Sequence, residues 1–168
     1  MNSRLQKSFK NIFYNKDCIN SFYSYYNALR NWVLNNSKFF KDELDEFKRL
    51  KMLLYLNIED YDINEIGRKR MNLSHVKKSL SERNYKKIGD LLKIIENNLW
   101  DMVTIEADLE CDCIDGDPRY IIIPTNKKSK VFVECNYCKQ IYNINGEKTN
   151  IELNEYLPAK YNDIINDA

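Results

Sequence analysis

The stretch Val103-Thr104-Ile105-Glu106-Ala107-Asp108-Leu109-Glu110-Cys111-Asp112-Cys113 decides how the chain is read. Val103, Ile105, Ala107, Leu109 and Cys111 alternate with Thr104, Glu106, Asp108, Glu110 and Asp112. A period of two is that of a strand with one face buried and the other in water. Apolar residues before this stretch recur at helical spacing, so the chain changes character near residue 101. The strand also runs directly into a cysteine pair.

Downstream, residues 119–123 form a second strand candidate, bounded by Asp115-Gly116-Asp117-Pro118 and by Pro124. Residues 131–135 form a third, entered after the polar turn 125–130. Residues 140–144 and 147–151 flank Asn145-Gly146, a type I′ hairpin signal because both central residues tolerate positive φ. A short helix is expected after Pro158.

Upstream, Ile19, Phe22, Tyr23, Tyr26, Leu29 and Val33 form one helical stripe. Phe40, Leu44, Phe47, Leu50 and Leu54 form a second, with Ser37 as the expected N-cap. Ser81 is the expected cap of a third, striped by Tyr85, Ile88, Leu91, Leu92, Ile95, Leu99 and Met102. Leu5, Phe9, Ile12 and Phe13 mark a short helix at the start, and Ile63 with Ile66 another that ends before Gly67. These aromatic stripes read as core rather than as a cofactor box. The expected fold class is α+β. A helical bundle over residues 1–101 is packed against a small antiparallel β module over residues 102–168 that ends in a short helix.

The 168 residues give room for one domain, or for two small layers. Charged residues at 30% and hydrophobic ones at 43% are globular rather than disordered proportions. The formal net charge of +1 excludes a chain-wide attraction to nucleic acid, so any such attraction needs a local patch. The sequence opens on no apolar leader and contains no run of the ~18 apolar residues that a membrane span requires. A soluble cytoplasmic protein is expected, and in that compartment clustered cysteines bind metal more often than they form disulfides.

Cys111-Asp112-Cys113 and Cys135-Asn136-Tyr137-Cys138 are two close pairs separated by room for two strands and a turn. Zinc takes about four soft ligands in a tetrahedron, and a pair on each of two strand-to-turn corners completes that sphere. Structural Zn2+ is therefore the expected cofactor, with Cys111, Cys113, Cys135 and Cys138 as ligands. Free buried thiols, or a disulfide or redox pair, are the other readings. Four thiolates leave no open position for water or substrate, which disfavours a catalytic zinc. Cys18, on an apolar helical stripe, reads as a small core residue.

In Val133-Glu134-Cys135-Asn136-Tyr137-Cys138 the chain resembles a zinc ribbon, meaning two cysteine knuckles at one end of a β-sheet. The resemblance covers roughly residues 103–151 and implies a zinc-stapled antiparallel module. Two features depart from the pattern. The first pair is spaced CxC rather than CxxC, and Lys139 stands where ribbons often place glycine for a left-handed backbone.

Enzyme signatures are scarce. Gly67, Gly89, Gly116 and Gly146 are isolated, so no glycine-rich phosphate cradle can form. His75 is the only histidine and reads as solvated or capping rather than catalytic. Asp112, Asp115 and Asp117 lack the order of an EF-hand loop and its closing Glu, so they read as an Asp-rich turn. An enzyme built on carboxylates and tyrosines alone remains an open alternative.

Charge is unevenly spread. Asp101, Glu106, Asp108, Glu110, Asp112, Asp115 and Asp117 fall in one stretch that contains no basic residue. Its plain reading is a solvated sheet face. Its sharper reading is a surface aimed at a basic protein such as a toxin or nuclease, with Glu106, Asp108, Glu110, Asp112, Asp115 and Asp117 as partner-binding residues. Arg68, Lys69, Arg70, His75, Lys77, Lys78, Arg83, Lys86 and Lys87 form a basic stretch, read either as a helix exterior or as a phosphate-contacting patch. The favoured function is a non-catalytic cytoplasmic inhibitor of the bacterial immunity or antitoxin type. The alternative is a nucleic-acid-binding regulator that uses Arg68, Lys69, Arg70, Lys77 and Lys78. Acidity around Cys111 opposes the alternative, and Lys127, Lys128 and Lys130 offset it only in part.

Overall fold

The computed structural model describes residues 1–14, 19–124, 130–151 and 155–167. Cys18, Lys127, Lys128 and most of the expected turn before residue 130 lie outside the described residues. Eight α-helices, seven of them before residue 104, and a five-stranded antiparallel sheet after it make an α+β arrangement among the described residues. The chain divides into two compact units, Met1–Val103 and Thr104–Ala168. No described helix is long and apolar enough to cross a membrane.

The first unit holds α1 (Ser3–Tyr14), α2 (Phe22–Asn36), α3 (Lys41–Asp45), α4 (Lys48–Tyr55), α5 (Ile63–Arg70), α6 (Leu73–Glu82) and α7 (Ile88–Val103). A capping box between Ser21 and Ser24 starts α2, satisfying backbone donors at both positions. That helix buries Phe22, Tyr25, Tyr26, Leu29, Trp32 and Val33, whereas Tyr23 of the expected stripe is exposed. Against it lies α7, burying Leu91, Leu92, Ile95, Leu99 and Trp100. Its buried Glu96 accepts from the Leu50 N–H at 3.1 Å, Arg49 Nη2 at 3.3 Å and Lys93 Nζ at 2.6 Å. One carboxylate thus satisfies an orphan donor in the first turn of α4 and stays compensated by two cations.

Three expected helix boundaries are corrected. The helix expected after Ser37 is broken into a 3-10 turn, α3 and α4, because the backbone leaves the helical region at Phe47 (φ −96°, ψ 71°). Ser37 starts no helix; it is the C-cap of α2, and its hydroxyl donates back to Leu34 O. Ser81 lies within α6 rather than before α7, and its hydroxyl donates to Lys78 O. The helix expected to stop before Gly67 continues through it as α5, started by the Asp62 side chain. Gly67 is buried because it faces the Phe22 ring, and a Cβ there would stand 2.5 Å from Phe22 Cγ.

The second unit holds β1 (Pro118–Ile123), β2 (Lys130–Cys135), β3 (Ile141–Tyr142), β4 (Lys148–Thr149), β5 (Leu157–Pro158) and α8 (Tyr161–Asp167). The sheet order is β4-β3-β2-β1-β5 with antiparallel neighbours. The strand expected from Val103 to Cys111 is the largest correction. Helix α7 keeps Val103, and the following extended chain makes a single bridge, Glu106 opposite Arg119. Ala107 N–H donates to Pro118 O and Tyr120 N–H to Ile105 O, both at 3.0 Å. Pairing stops there because β5 lies alongside β1 at Ile121 and Ile122. From Ile105 onward the alternation survives as burial, with Ala107 inside and Glu106 and Asp108 outside, whereas Thr104, expected outside, is fully buried.

The expected type I′ turn is also corrected. Among the described residues only Gly146 and Lys139 have positive φ, so Asn145 does not take the left-handed position. Asn143 N–H instead donates to Glu147 O at 2.9 Å across a three-residue loop with Gly146 at φ 83°. The Asn143 side-chain oxygen accepts from both Asn145 N and Glu147 N.

The Phe22 contact sets a clear test. Gly67→Ala is expected to lower the stability of the first unit by about 1–3 kcal/mol, the usual cost of overpacking. Gly89→Ala, with nothing near its added Cβ, is expected to be neutral or stabilising by up to ~1 kcal/mol. Urea denaturation of both variants measures the difference, and equal midpoints for the two would disprove the contact's importance.

Candidate metal centre

The register of β1 with β2 builds the centre. Pro118 pairs with Cys135, so the loop entering β1 and the turn leaving β2 share one end of the sheet. The Cys135–Cys138 turn closes by Cys135 N–H donating to Gln140 O and Lys139 N–H donating to Cys135 O, both at 2.9 Å. Closure puts Lys139 at φ 65°, a conformation costing an L-residue roughly 1–2 kcal/mol. The expected knuckle backbone is therefore present without its glycine. The lysine makes contacts that a glycine lacks: its Nζ lies 3.6 Å from the buried Glu134 carboxylate and 3.2 Å from Asn136 Oδ1.

The Cys111–Cys113 loop returns on itself at Gly116. A Cβ there would stand 3.0 Å from Cys111 Cβ and 3.5 Å from its carbonyl oxygen, so a side chain has little room. Asp117 then clasps the two loops together. Its carbonyl accepts from Asn136 N–H at 2.8 Å, and its carboxylate accepts from Asn136 Nδ2 at 3.2 Å. Arg119 Nη2 reaches both oxygens of the same carboxylate, at 2.6 and 2.7 Å.

These constraints bring Cys111, Cys113, Cys135 and Cys138 together, with all four Sγ atoms within 4.8 Å of one another. Cys111 and Cys138 approach to 3.4 Å, and Cys113 and Cys135 to 3.6 Å. These separations far exceed the ~2.05 Å of a disulfide, and the four cysteines are free thiols. The two separations lie a little below the roughly 3.8 Å sulfur–sulfur edge of a tetrahedron with ~2.3 Å metal–sulfur bonds. The donor set fits a bound metal. It is also continuous with the module's core, where Ala107, Val133, Cys135 and Tyr142 pack with Leu109, Cys111, Cys113 and Tyr120.

The thiols differ in acidity. Tyr142 donates its hydroxyl to Cys111 Sγ at 3.2 Å and holds that thiol down to about 6. Desolvation, with the neighbouring sulfurs, pushes Cys113 up to about 12. Desolvation raises Cys135 too, but backbone N–H groups of Asp117, Cys138 and Tyr137 outweigh it and the net shift is downward. At Cys138 the Gln140 N–H favours the thiolate, yet desolvation and the Cys111 and Cys135 sulfurs leave it raised. Crowded sulfurs resist ionising together, and a cation at their centre removes that resistance.

The other expected site residues are placed differently. Glu106, Asp108, Glu110, Asp112 and Asp115 are exposed along the segment that enters the centre. Asp112 pairs with Lys148, and Asp117 is committed to the clasp. Of the basic stretch, Arg68, Lys69 and Arg70 occupy the last turn of α5, where cations offset the helix dipole, and Lys69 pairs with Glu65 at 2.8 Å. Lys77 donates to Ile19 O at 2.7 Å, while Lys78 is exposed on α6. The His75 N–H donates to the Asn72 side chain at the start of α6. Tyr142 and Gly116 were not foreseen as parts of the centre. Nothing in their local sequence marks them, since their roles come from strand pairing and loop closure. No protein-family model, curated protein or solved structure matches the chain.

Metal binding to the stripped, reduced protein at pH 7 is expected to release at least two protons, those of Cys113 and Cys138, whose thiols are held above their ordinary range. Bound metal requires thiolates, so affinity falls as pH falls. Tyr142→Phe is expected to weaken binding by roughly 10–100-fold, as loss of an outer-shell partner usually does. Calorimetric titration in buffers of different ionisation enthalpy reads both quantities. Unchanged affinity in the variant would remove Tyr142 from the centre.

Proposed function

We propose that Cys111, Cys113, Cys135 and Cys138 hold one structural Zn2+, and that the chain is a non-catalytic protein-binding protein. The convergence of four sulfurs within 4.8 Å at the end of a small sheet carries this reading. An all-thiolate set is soft, which favours zinc over magnesium or calcium. It also fills a tetrahedral sphere, so the ion supplies a cross-link and folding free energy rather than an activated water. Three of the five strands are two residues long and the core around the cysteines is a few side chains, which gives the module little stability of its own.

The partner we propose is basic, and the chain then acts as an inhibitor of the immunity or antitoxin type that occludes a toxin or nuclease. Glu106, Asp108, Glu110, Asp112 and Asp115 are exposed within one short segment, and such a surface complements a phosphate-binding cleft. The basic residues on α5 and α6 support a nucleic-acid interface less well, since Lys69 and Lys77 already have protein partners.

Elemental analysis of the purified protein is expected to give one zinc per chain. Cys135→Ser is expected to lose the ion and, with it, hydrogen-exchange protection in β1, β2 and β3 while α2 and α7 stay protected. Full protection of that region without metal would end the structural-zinc reading. Reversing Glu106, Asp108 and Glu110 to Lys is expected to weaken binding to a basic protein partner at least tenfold at low salt, with a shallower salt dependence. If every protein partner binds the triple variant as before, the acidic-face reading is wrong.

A further inference from the structure

The two turns that carry the cysteines each expose one large apolar side chain. Ile114, directly after Cys113, is 100% exposed, and Tyr137, directly before Cys138, is 64% exposed. Each is one peptide step from a sulfur of the cluster, so both lie within the footprint of one ordinary protein interface. A scattered exposed leucine or isoleucine is unremarkable on a protein surface. Here, however, the backbone on both sides is fixed: Gly116 closes one loop against Cys111, the Asp117–Asn136 clasp ties it to the other, and Lys139 locks the second turn. Carboxylates flank Ile114, with Glu110 and Asp115 exposed close by in the chain, while the exposed cation nearest Tyr137 in the chain, Lys139, is paired with the buried Glu134 carboxylate at 3.6 Å.

We infer that Ile114 and Tyr137 form the apolar centre of a docking surface for a protein that presents an apolar socket rimmed by lysine or arginine side chains. The inference rests on the reading of the chain as a binder of a basic protein, and it adds an apolar centre at the turn tips to the acidic face of residues 106–115. Interfaces take most of their energy from a few desolvated anchors surrounded by a polar rim, and tyrosine is favoured among those anchors. Anchors already held rigid lose little freedom on binding. Acidic flanks select a basic rim and repel nucleic acid.

The test places a photo-crosslinking amino acid at position 114, 137, 106 or 55, one at a time, in cells that naturally make this chain. Tyr55, exposed in the first unit, is the control. The expected result is one protein adduct common to positions 114 and 137 and absent at 55, its crosslinked segment rich in Lys or Arg. With that partner purified, Ile114→Ser and Tyr137→Ser are each expected to weaken binding 30-fold or more while zinc content is unchanged. An adduct at 106 but not at 114 or 137 overturns the tip surface and leaves the binding-protein reading standing. Crosslinks to nucleic acid at the tips, or serine variants that bind the partner normally, also overturn it. No adduct at any position overturns both.

Discussion

Four sulfur atoms held within 4.8 Å of one another are electrostatically intolerable as four bare thiolates. Either protons stay on some of them or a cation sits among them, and the β unit is arranged around that choice. Register between β1 and β2 delivers the two turns to the same corner, and the Asp117 clasp keeps them there. The core packs onto Cys135 itself, so coordination and burial involve the same atoms. In so small a module the two cannot be separated energetically: what loosens the sulfurs exposes the core.

The helical unit obeys a different rule. Its core is a conventional aromatic and aliphatic interior, with Phe9 edge-on to Phe13, Trp32 and Tyr85. Several of the polar groups it buries are matched, as where Glu96 serves Leu50, Arg49 and Lys93, and where the Tyr26 hydroxyl donates to Leu53 O. No single contact there has the leverage of the sulfur cluster. Removing one side chain leaves a cavity whose cost falls with how well its neighbours collapse.

What the sequence made legible follows from the range of the interactions. The α+β division and the four clustered cysteines could be read because period and spacing are local. The helix break at Phe47 could not, since it depends on Glu96, which reaches Leu50 from nearly fifty residues away. The alternation from Ile105 to Cys111 correctly marked which side chains go inside, yet the ladder was missing because β5 runs beside the neighbouring part of β1. Lys139 occupies a position where a ribbon pattern favours glycine, and its left-handed backbone shows that turn closure can prevail over residue preference. Tyr142, the proton donor to Cys111, was invisible because only pairing of β3 with β2 brings it there.

The rims of the sheet also govern how molecules of this protein meet. β4 is two residues long, and β5 is two residues ending in Pro158, whose nitrogen carries no hydrogen. A neighbouring chain seeking to extend the ladder finds almost nothing to bond to on either flank. Edges this short disfavour strand-by-strand polymerisation of the folded protein.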